Sequence, residues 1–302
     1  QVIMSFVMLT MIFIMMPRAA VSAKRILEIL DTKESIVDGH GKIKNTSKNG
    51  EIEFKNVSFK YPDSEESEYV LRDISFKAKK GETVAIIGST GSGKTSLVNL
   101  IPRFYDVTEG EVLVNGVNVK DYKQSQLNNL LGYVHQKAVL FTGNITSNVA
   151  YGDNGRGKYS ENDVKKAIEI AQGTEFVEKM PDTYKSRISQ GGKNVSGGQK
   201  QRLSIARAIC RKPEIYIFDD SFSALDYKTD RKLRSVLRKE ISGATNLIVA
   251  QRIGTIIDAD KIIVLDEGQI VGMGTHEELM RKCKVYQEIA YSQLSKEELA
   301  NA

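Results

Sequence analysis

Eight consecutive residues, Gly88, Ser89, Thr90, Gly91, Ser92, Gly93, Lys94 and Thr95, satisfy every fixed position of the pattern G-x-x-x-x-G-K-[ST]. They follow the apolar run Thr83–Ile87, which reads as a buried strand, and precede a helix expected over Ser96–Ile101. Strand, glycine-rich turn and helix in that order point to an α/β fold around a parallel sheet. The chemistry accounts for the residue types. Glycines let backbone N–H groups turn inward around phosphate oxygens, and the helix N-terminus adds a favourable dipole. Lys94 has the reach for β- and γ-phosphates, and the Thr95 hydroxyl is suited to Mg²⁺. Ser96, opening the helix, joins the candidate phosphate-binding set. A chance glycine-rich turn is the competing reading, and the flanking strand and helix speak against it.

An acidic residue at the end of a second strand would complete the magnesium shell, and Glu214-Ile-Tyr-Ile-Phe-Asp219 supplies Asp219. Ile215–Phe218, Leu247–Ala250 and Ile262–Leu265 resemble Thr83–Ile87 as continuous apolar runs, the mark of buried parallel strands. Other segments alternate and predict a flanking antiparallel sheet. Ile52 and Phe54 are followed by Val57 and Phe59 one residue out of phase, and Ile74, Phe76 and Ala78 alternate. Val112 and Val114 lead through Asn115-Gly116 to Val117 and Val119, a hairpin signal. Val164, Ala167, Ile168 and Ala171 have helical spacing after a start signal at Ser160 and Asp163. Thr275 and Glu278 have capping-box spacing.

The N-terminus differs from everything after it. Val2–Pro17 carries no charge and holds five of the eight methionines. Arg18, Lys24 and Arg25 follow, as on the cytoplasmic side of a membrane helix. The run is short for a full crossing and the chain opens on Gln1, so residues 1–23 are expected to be the truncated end of a last membrane helix. Val21-Ser22-Ala23 resembles a signal cleavage site, but no basic segment precedes the apolar run. A buried soluble helix is the other alternative. A short helix over Ala23–Leu30, then the aperiodic polar stretch Asp38–Gly50, makes 24–50 a linker. The net charge of +5 is spread along the chain and reads as solvated surface, with no nucleic-acid partner. The two cysteines, Cys210 and Cys283, lack metal-ligand spacing and fit a reducing cytosol.

Asn194-Val-Ser-Gly-Gly-Gln-Lys-Gln-Arg202, whose Ser196 stands 23 residues before Asp219, resembles the signature motif of ATP-binding cassette (ABC) transporters. The resemblance covers residues 51–290, with the motifs in the family's order. It implies ATP and Mg²⁺ as cofactors. It also implies that Ser196, Gly197, Gly198 and Gln199 act on ATP held by the opposite cassette of a dimer. Tyr61 matches the aromatic that stacks on adenine. Gln136, in Val134-His-Gln-Lys137, matches the glutamine that touches Mg²⁺ and faces the membrane domain. It joins Thr95 and Asp219 as a metal candidate. Ser223-Ala-Leu-Asp226 matches the loop that crosses the dimer interface, which brings Asp226 to the nucleotide. Phe141–Tyr151 and Ser189–Gly192 resemble segments of exporter-type members.

Two departures touch hydrolysis and spare binding. The residue after Asp219 is usually Glu, which polarises the attacking water, and here it is Asp220. One methylene withdraws the carboxylate by more than about 1 Å, and catalytic geometry is sensitive on that scale. Where the family usually has a His on the γ-phosphate, this chain has Gln251. Gln190, where homodimeric exporters often have Glu, agrees in direction. Beside an intact signature, these departures resemble the degenerate half of a heterodimeric exporter; a slow but competent homodimer is the alternative.

The implied fold is α/β: a P-loop NTPase core with a parallel sheet, a flanking antiparallel β-subdomain and an α-helical subdomain carrying the signature. The implied division is 1–23 membrane helix, 24–50 linker, 51–290 ATP-binding domain and 291–302 tail. The implied partners are a second ABC subunit and a fused transmembrane domain, at the cytoplasmic face of the cell membrane. Non-transport ABC ATPases acting on nucleic acid, and a nucleotide-gated channel or regulator, are the alternatives. The DNA-repair ATPases insert a long coiled coil between phosphate loop and signature, whereas Lys94 and Ser196 are only 102 residues apart.

Overall fold

The computed structural model describes residues 1–41, 49–62, 64, 68–152, 154–155 and 157–293. Residues 42–48 of the expected linker and 294–302 of the expected tail lie outside the described residues. The chain divides into two compact units, Gln1–Val37 and Asp38–Ala302.

The first unit holds one helix, α1 (Val2–Leu30), 29 residues and about 44 Å long at 1.5 Å per residue. Its most apolar window has a mean hydropathy of 1.9, so by length and composition it can cross a membrane. Pro17 lies inside it and removes one backbone hydrogen bond. The sequence suggested a separate short helix from Ala23. Instead one helix runs through to Leu30, because Ala19, Ala20, Ala23, Lys24, Leu27 and Glu28 are all good helix formers.

In the second unit the described strands form an antiparallel sheet, a mostly parallel sheet and a short ribbon. The antiparallel sheet has the order β2 (Leu71–Ala78), β1 (Ile52–Phe59), β4 (Glu109–Val114), β5 (Val117–Asn118). The phase slip between Phe54 and Val57 is a β-bulge at Asn56, whose φ is 46°. It lets both apolar pairs face the core. Asn115 and Gly116 take φ of 55° and 76°, the two positive values that a tight hairpin turn requires. Val114 then pairs with Val117, but Val119 begins a 3₁₀ turn instead of extending β5, and the Asn118 side chain caps that turn.

The second sheet has the order β12 (Gln269–Gly274), β11 (Lys261–Asp266), β3 (Thr83–Ile87), β10 (Thr245–Val249), β9 (Ile215–Asp219), β6 (Leu131–Val134). All neighbours are parallel except β12 on β11. The four apolar runs occupy β3, β9, β10 and β11. No periodicity marks β6, four residues that follow directly on α3 (Gln124–Leu130). The ribbon pairs β7 (Gly143–Asn144) with β8 (Arg187–Ile188).

The helix after β3 is α2 (Lys94–Asn99), two residues earlier than expected at each end, because Gly93 turns the chain at φ 94° directly into it. A helical layer comprises α4 (Ile145–Val149), α5 (Glu161–Ile170), α6 (Thr174–Glu178) and α7 (Gly197–Cys210). Val164, Ala167 and Ile168 of α5 and Leu203 of α7 share its core. Ser160 with Asp163 forms the anticipated capping box. The chain closes with α8 (Tyr227–Glu240), α9 (Ile253–Ile256), α10 (His276–Lys282) and α11 (Lys284–Gln293), and Thr275 with Glu278 caps α10.

Candidate functional site

The C-terminal ends of β3, β9 and β10 lie side by side, the edge at which open parallel sheets place ligands. Gly88 leaves β3 so close to β11 that a Cβ there would collide with the Leu265 carbonyl oxygen. At Gly93 a Cβ would stand 2.8 Å from Leu71 Cδ2, besides the cost of the positive φ. The loop between them curls around the Lys94 ammonium. Lys94 Nζ donates to Gly88 O at 2.9 Å and Ser89 O at 2.6 Å, and lies 3.3 Å from Ser92 Oγ. Burial holds the Lys94 pKa below the usual lysine value, while Asp220 and Asp219 pull it back up.

Thr95 Oγ1 donates to Asp219 Oδ1 at 3.0 Å, which joins the start of α2 to the end of β9. Asp219 and Asp220 are both buried, and burial is the main force pushing each carboxyl above its ordinary value. Asp220 takes φ 45° as the chain leaves the sheet, and its N–H donates to Val249 O on β10 at 3.0 Å. Its Oδ2 accepts from Gln136 Nε2 at 3.0 Å and from Gln251 Nε2 at 2.8 Å. Asp220 and Gln251, the two hydrolysis candidates, and Gln136, the metal candidate that also counts among the expected catalytic residues, are thus one hydrogen-bonded group. Thr90, Gly91, Gly93, Lys94, Thr95, Ser96, Gln136, Asp219, Asp220 and Gln251 line one cavity of about 300 Å³. A larger cavity of about 470 Å³, lined by Lys166, Cys210 and Tyr216 among others, shares no residue with it.

Tyr61, two residues past the end of β1, does not line the cavity but touches Ser96, which does. Its hydroxyl lies 2.8 Å from Ser96 Oγ, and its ring stands edge-on to Phe59 and Tyr105 at 4.9 and 5.1 Å. Ser196–Gln199 and Asp226 do not line the cavity. Ser196 caps α7: its Oγ accepts from Gln199 N at 3.3 Å, and Gln199 Oε1 accepts from Ser196 N at 2.9 Å. Ser196 and Gly197 are exposed, so this helix N-terminus opens to solvent. Asp226 caps α8 by accepting from Thr229 N at 3.0 Å, which holds its carboxyl below the ordinary value.

The donor set fits Mg²⁺. Thr95 offers a hydroxyl and Asp219 a carboxylate. Gln136 offers a carboxamide oxygen, its nitrogen being the atom engaged by Asp220. These are the hard oxygen ligands that Mg²⁺ takes together with phosphate and water. Among the described residues no cluster of three His, Cys, Asp or Glu side chains could hold a metal unaided.

Outside the cavity, Phe141 and Tyr151 stack at 4.3 Å with the Arg207 guanidinium over both rings, and both are exposed. One contact had no sequence signal. Gln293, at the end of α11, bonds the backbone on both sides of Arg252.

A sequence profile described as ABC transporter matches residues 71–223. An uncharacterized ABC transporter ATP-binding protein of Mycobacterium tuberculosis is 44% identical over 294 residues, 97% of this chain and 50% of that protein. The ATP-dependent lipid A-core flippase of Alkalilimnicola ehrlichii is 39% identical over 263 residues, covering 87% of this chain and 44% of the flippase. Among solved structures, a bacterial Atm1-family ABC exporter with ATP bound superposes with a TM-score of 0.85 at 32% identity. That match covers 96% of this chain and 50% of the exporter. The chain spans about half the length of the curated relatives it matches.

Proposed function

The chain belongs to the ABC transporter family as an ATP-binding cassette similar to those of exporters, and from that premise we propose that it binds Mg·ATP and closes on a second cassette to drive export. The observation that carries this reading is the convergence of Lys94, Thr95, Asp219, Asp220, Gln136 and Gln251 on one cavity. Loop N–H groups and Lys94 take the phosphates, Thr95, Asp219 and Gln136 hold Mg²⁺, and Tyr61 receives the adenine. Bound metal supplies charge neutralisation at the β- and γ-phosphates.

In this reading residues 1–23 are the end of a fused transmembrane domain, 24–50 a linker into which α1 runs as far as Leu30, 51–290 the cassette on the cytoplasmic face, and 291–302 a tail whose first three residues complete α11. The cassette's own site hydrolyses slowly, because Asp220 is short and Gln251 replaces a better γ-phosphate donor. Ser196, Gly197, Gly198, Gln199 and Asp226 serve ATP held by the partner, in a heterodimer. Nucleotide holds the closed pair together, and hydrolysis releases it.

Equilibrium binding of Mg·ATP to the chain and to Lys94→Ala tests the premise about the cavity. The variant is expected to bind at least about tenfold more weakly, one charge-assisted contact or more. Unchanged affinity would remove the phosphate loop from the reading.

A further inference from the structure

We propose that Gln293 is a positioning residue that holds the Gln251 loop and thereby sets how well this site distinguishes ATP from ADP. The proposal rests on the reading that Gln251 faces the γ-phosphate.

β10 ends at Val249 and α9 begins at Ile253, so Gln251 stands on a short connection with no ladder of its own. Its side chain is committed to Asp220 at 2.8 Å. Arg252, the N-cap of α9, gives no side-chain cap, which leaves the first helical N–H in need of an acceptor. Gln293 supplies it. Its Oε1 accepts from Ile253 N at 2.9 Å, and its Nε2 donates to Gln251 O at 2.7 Å. One planar carboxamide therefore grips the loop on both sides of Arg252. Water could satisfy either backbone group, but two separate waters would not fix the distance and angle between them.

The grip is only as firm as the helix behind it. α11 buries Tyr286 and Ala290 completely, in a core shared with Ile253, Ile256 and Ile262. The Tyr286 hydroxyl lies 2.7 Å from His276 Nδ1, which ties α11 to α10. Gln251 is thus placed by two anchors, Asp220 through its side chain and α11 through its backbone. Loss of the second lets the amide drift from where a γ-phosphate oxygen would be. ADP has no such oxygen, so its affinity is indifferent to the drift.

The test is equilibrium binding of Mg·ATP and Mg·ADP to the full chain and its variants. Gln293→Ala is expected to lower the ATP-over-ADP preference by roughly 3- to 10-fold, the scale of one well-placed hydrogen bond, with ADP affinity unchanged. Gln287→Ala removes a bond from the same helix to Met280 O and should leave the preference alone. Gln251→Ala should reproduce the loss, and adding Gln293→Ala to it should cost little more, because one acts through the other. Wild-type preference in Gln293→Ala overturns the proposal and leaves the phosphate site standing. Equal weakening of both nucleotides, or additive losses in the double variant, overturns it as well. A parent chain whose ATP affinity does not depend on Lys94 overturns both this proposal and the reading beneath it.

Discussion

Lengthening Asp220 to Glu while changing Gln251 to His separates weak chemistry from weak binding. The Asp220 carboxylate cannot creep toward the phosphates. Its backbone is tied to Val249 O at 3.0 Å, and its Oδ2 is shared by the Gln136 and Gln251 amides at 3.0 and 2.8 Å. That leaves Oδ1 to polarise a water, on a side chain one methylene short and beside the Ser223 hydroxyl. A displacement of about 1 Å costs roughly 10²-fold in rate, so the longer carboxylate alone has that much to recover. A donor aimed at developing charge is worth about 10²-fold more. Both groups act on one geometry, and their effects should not add. The double variant is therefore expected to raise hydrolysis at this site by roughly 10²- to 10⁴-fold, the range of a well-placed general base. Single-turnover phosphate release would be followed in the assembled transporter, with the second cassette's hydrolytic carboxylate removed so that turnover belongs to this site. If the double variant binds Mg·ATP, closes and still releases phosphate at background, the proposal that these two residues limit hydrolysis is overturned.

Ser196→Arg should abolish most ATPase activity of the assembled transporter and leave this chain's own Mg·ATP affinity unchanged, because Ser196 lies outside the cavity; equal losses in both would place the signature in its own site. His276 gives a pH prediction. Burial lowers its pKa, with Glu277 and Asp258 opposing, and its Nε2 is buried without a hydrogen-bond partner among the described residues. The folded state therefore disfavours the imidazolium. The stability this contributes is complete above the ordinary value of 6.5 and is lost as pH falls from there through the lowered folded value. In urea unfolding between about pH 7 and 5, His276→Gln should lose less stability than the parent chain, and identical slopes would exclude a role for this imidazole.

Local signals in the sequence were reliable where one stretch of chain decides its own conformation. Ser160 with Asp163 and Thr275 with Glu278 form the capping boxes their spacing announces, and Asn115-Gly116 makes the tight turn. The slip between Phe54 and Val57 was visible as a phase error, and the bulge at Asn56 is its cause. β6 was illegible because four residues abutting a helix show no period. The site divides in the same way. The phosphate loop is contiguous, so its pattern is readable. The Gln136–Asp220–Gln251 contact exists only because β6, β9 and β10 are adjacent in the sheet, and strand order is not written in any one segment. Gln293 lies 42 residues from Gln251, and no periodicity links the two.

The proposed division between a weak site and a working signature has a physical basis in how the two are built. Asp220 and Gln251 depend on the ends of β9 and β10, whereas Ser196 depends on the cap of α7. In that cap Ser196 Oγ acts as acceptor, for Gln199 N, while Gln199 Oε1 fixes the Ser196 backbone. A hydroxyl has one proton and two lone pairs, so accepting inward leaves its proton free to donate outward. The capping box thus holds the Ser196 hydroxyl at an exposed helix N-terminus, where the proposed partner-held phosphate would meet it. Substitutions at the sheet edge do not disturb that cap, because no hydrogen bond in it involves Asp220 or Gln251. A cassette can therefore lose efficient hydrolysis at its own site while keeping the surface that completes its partner's. For the same reason the Ser196 and Asp220 variants should act on different sites of one dimer.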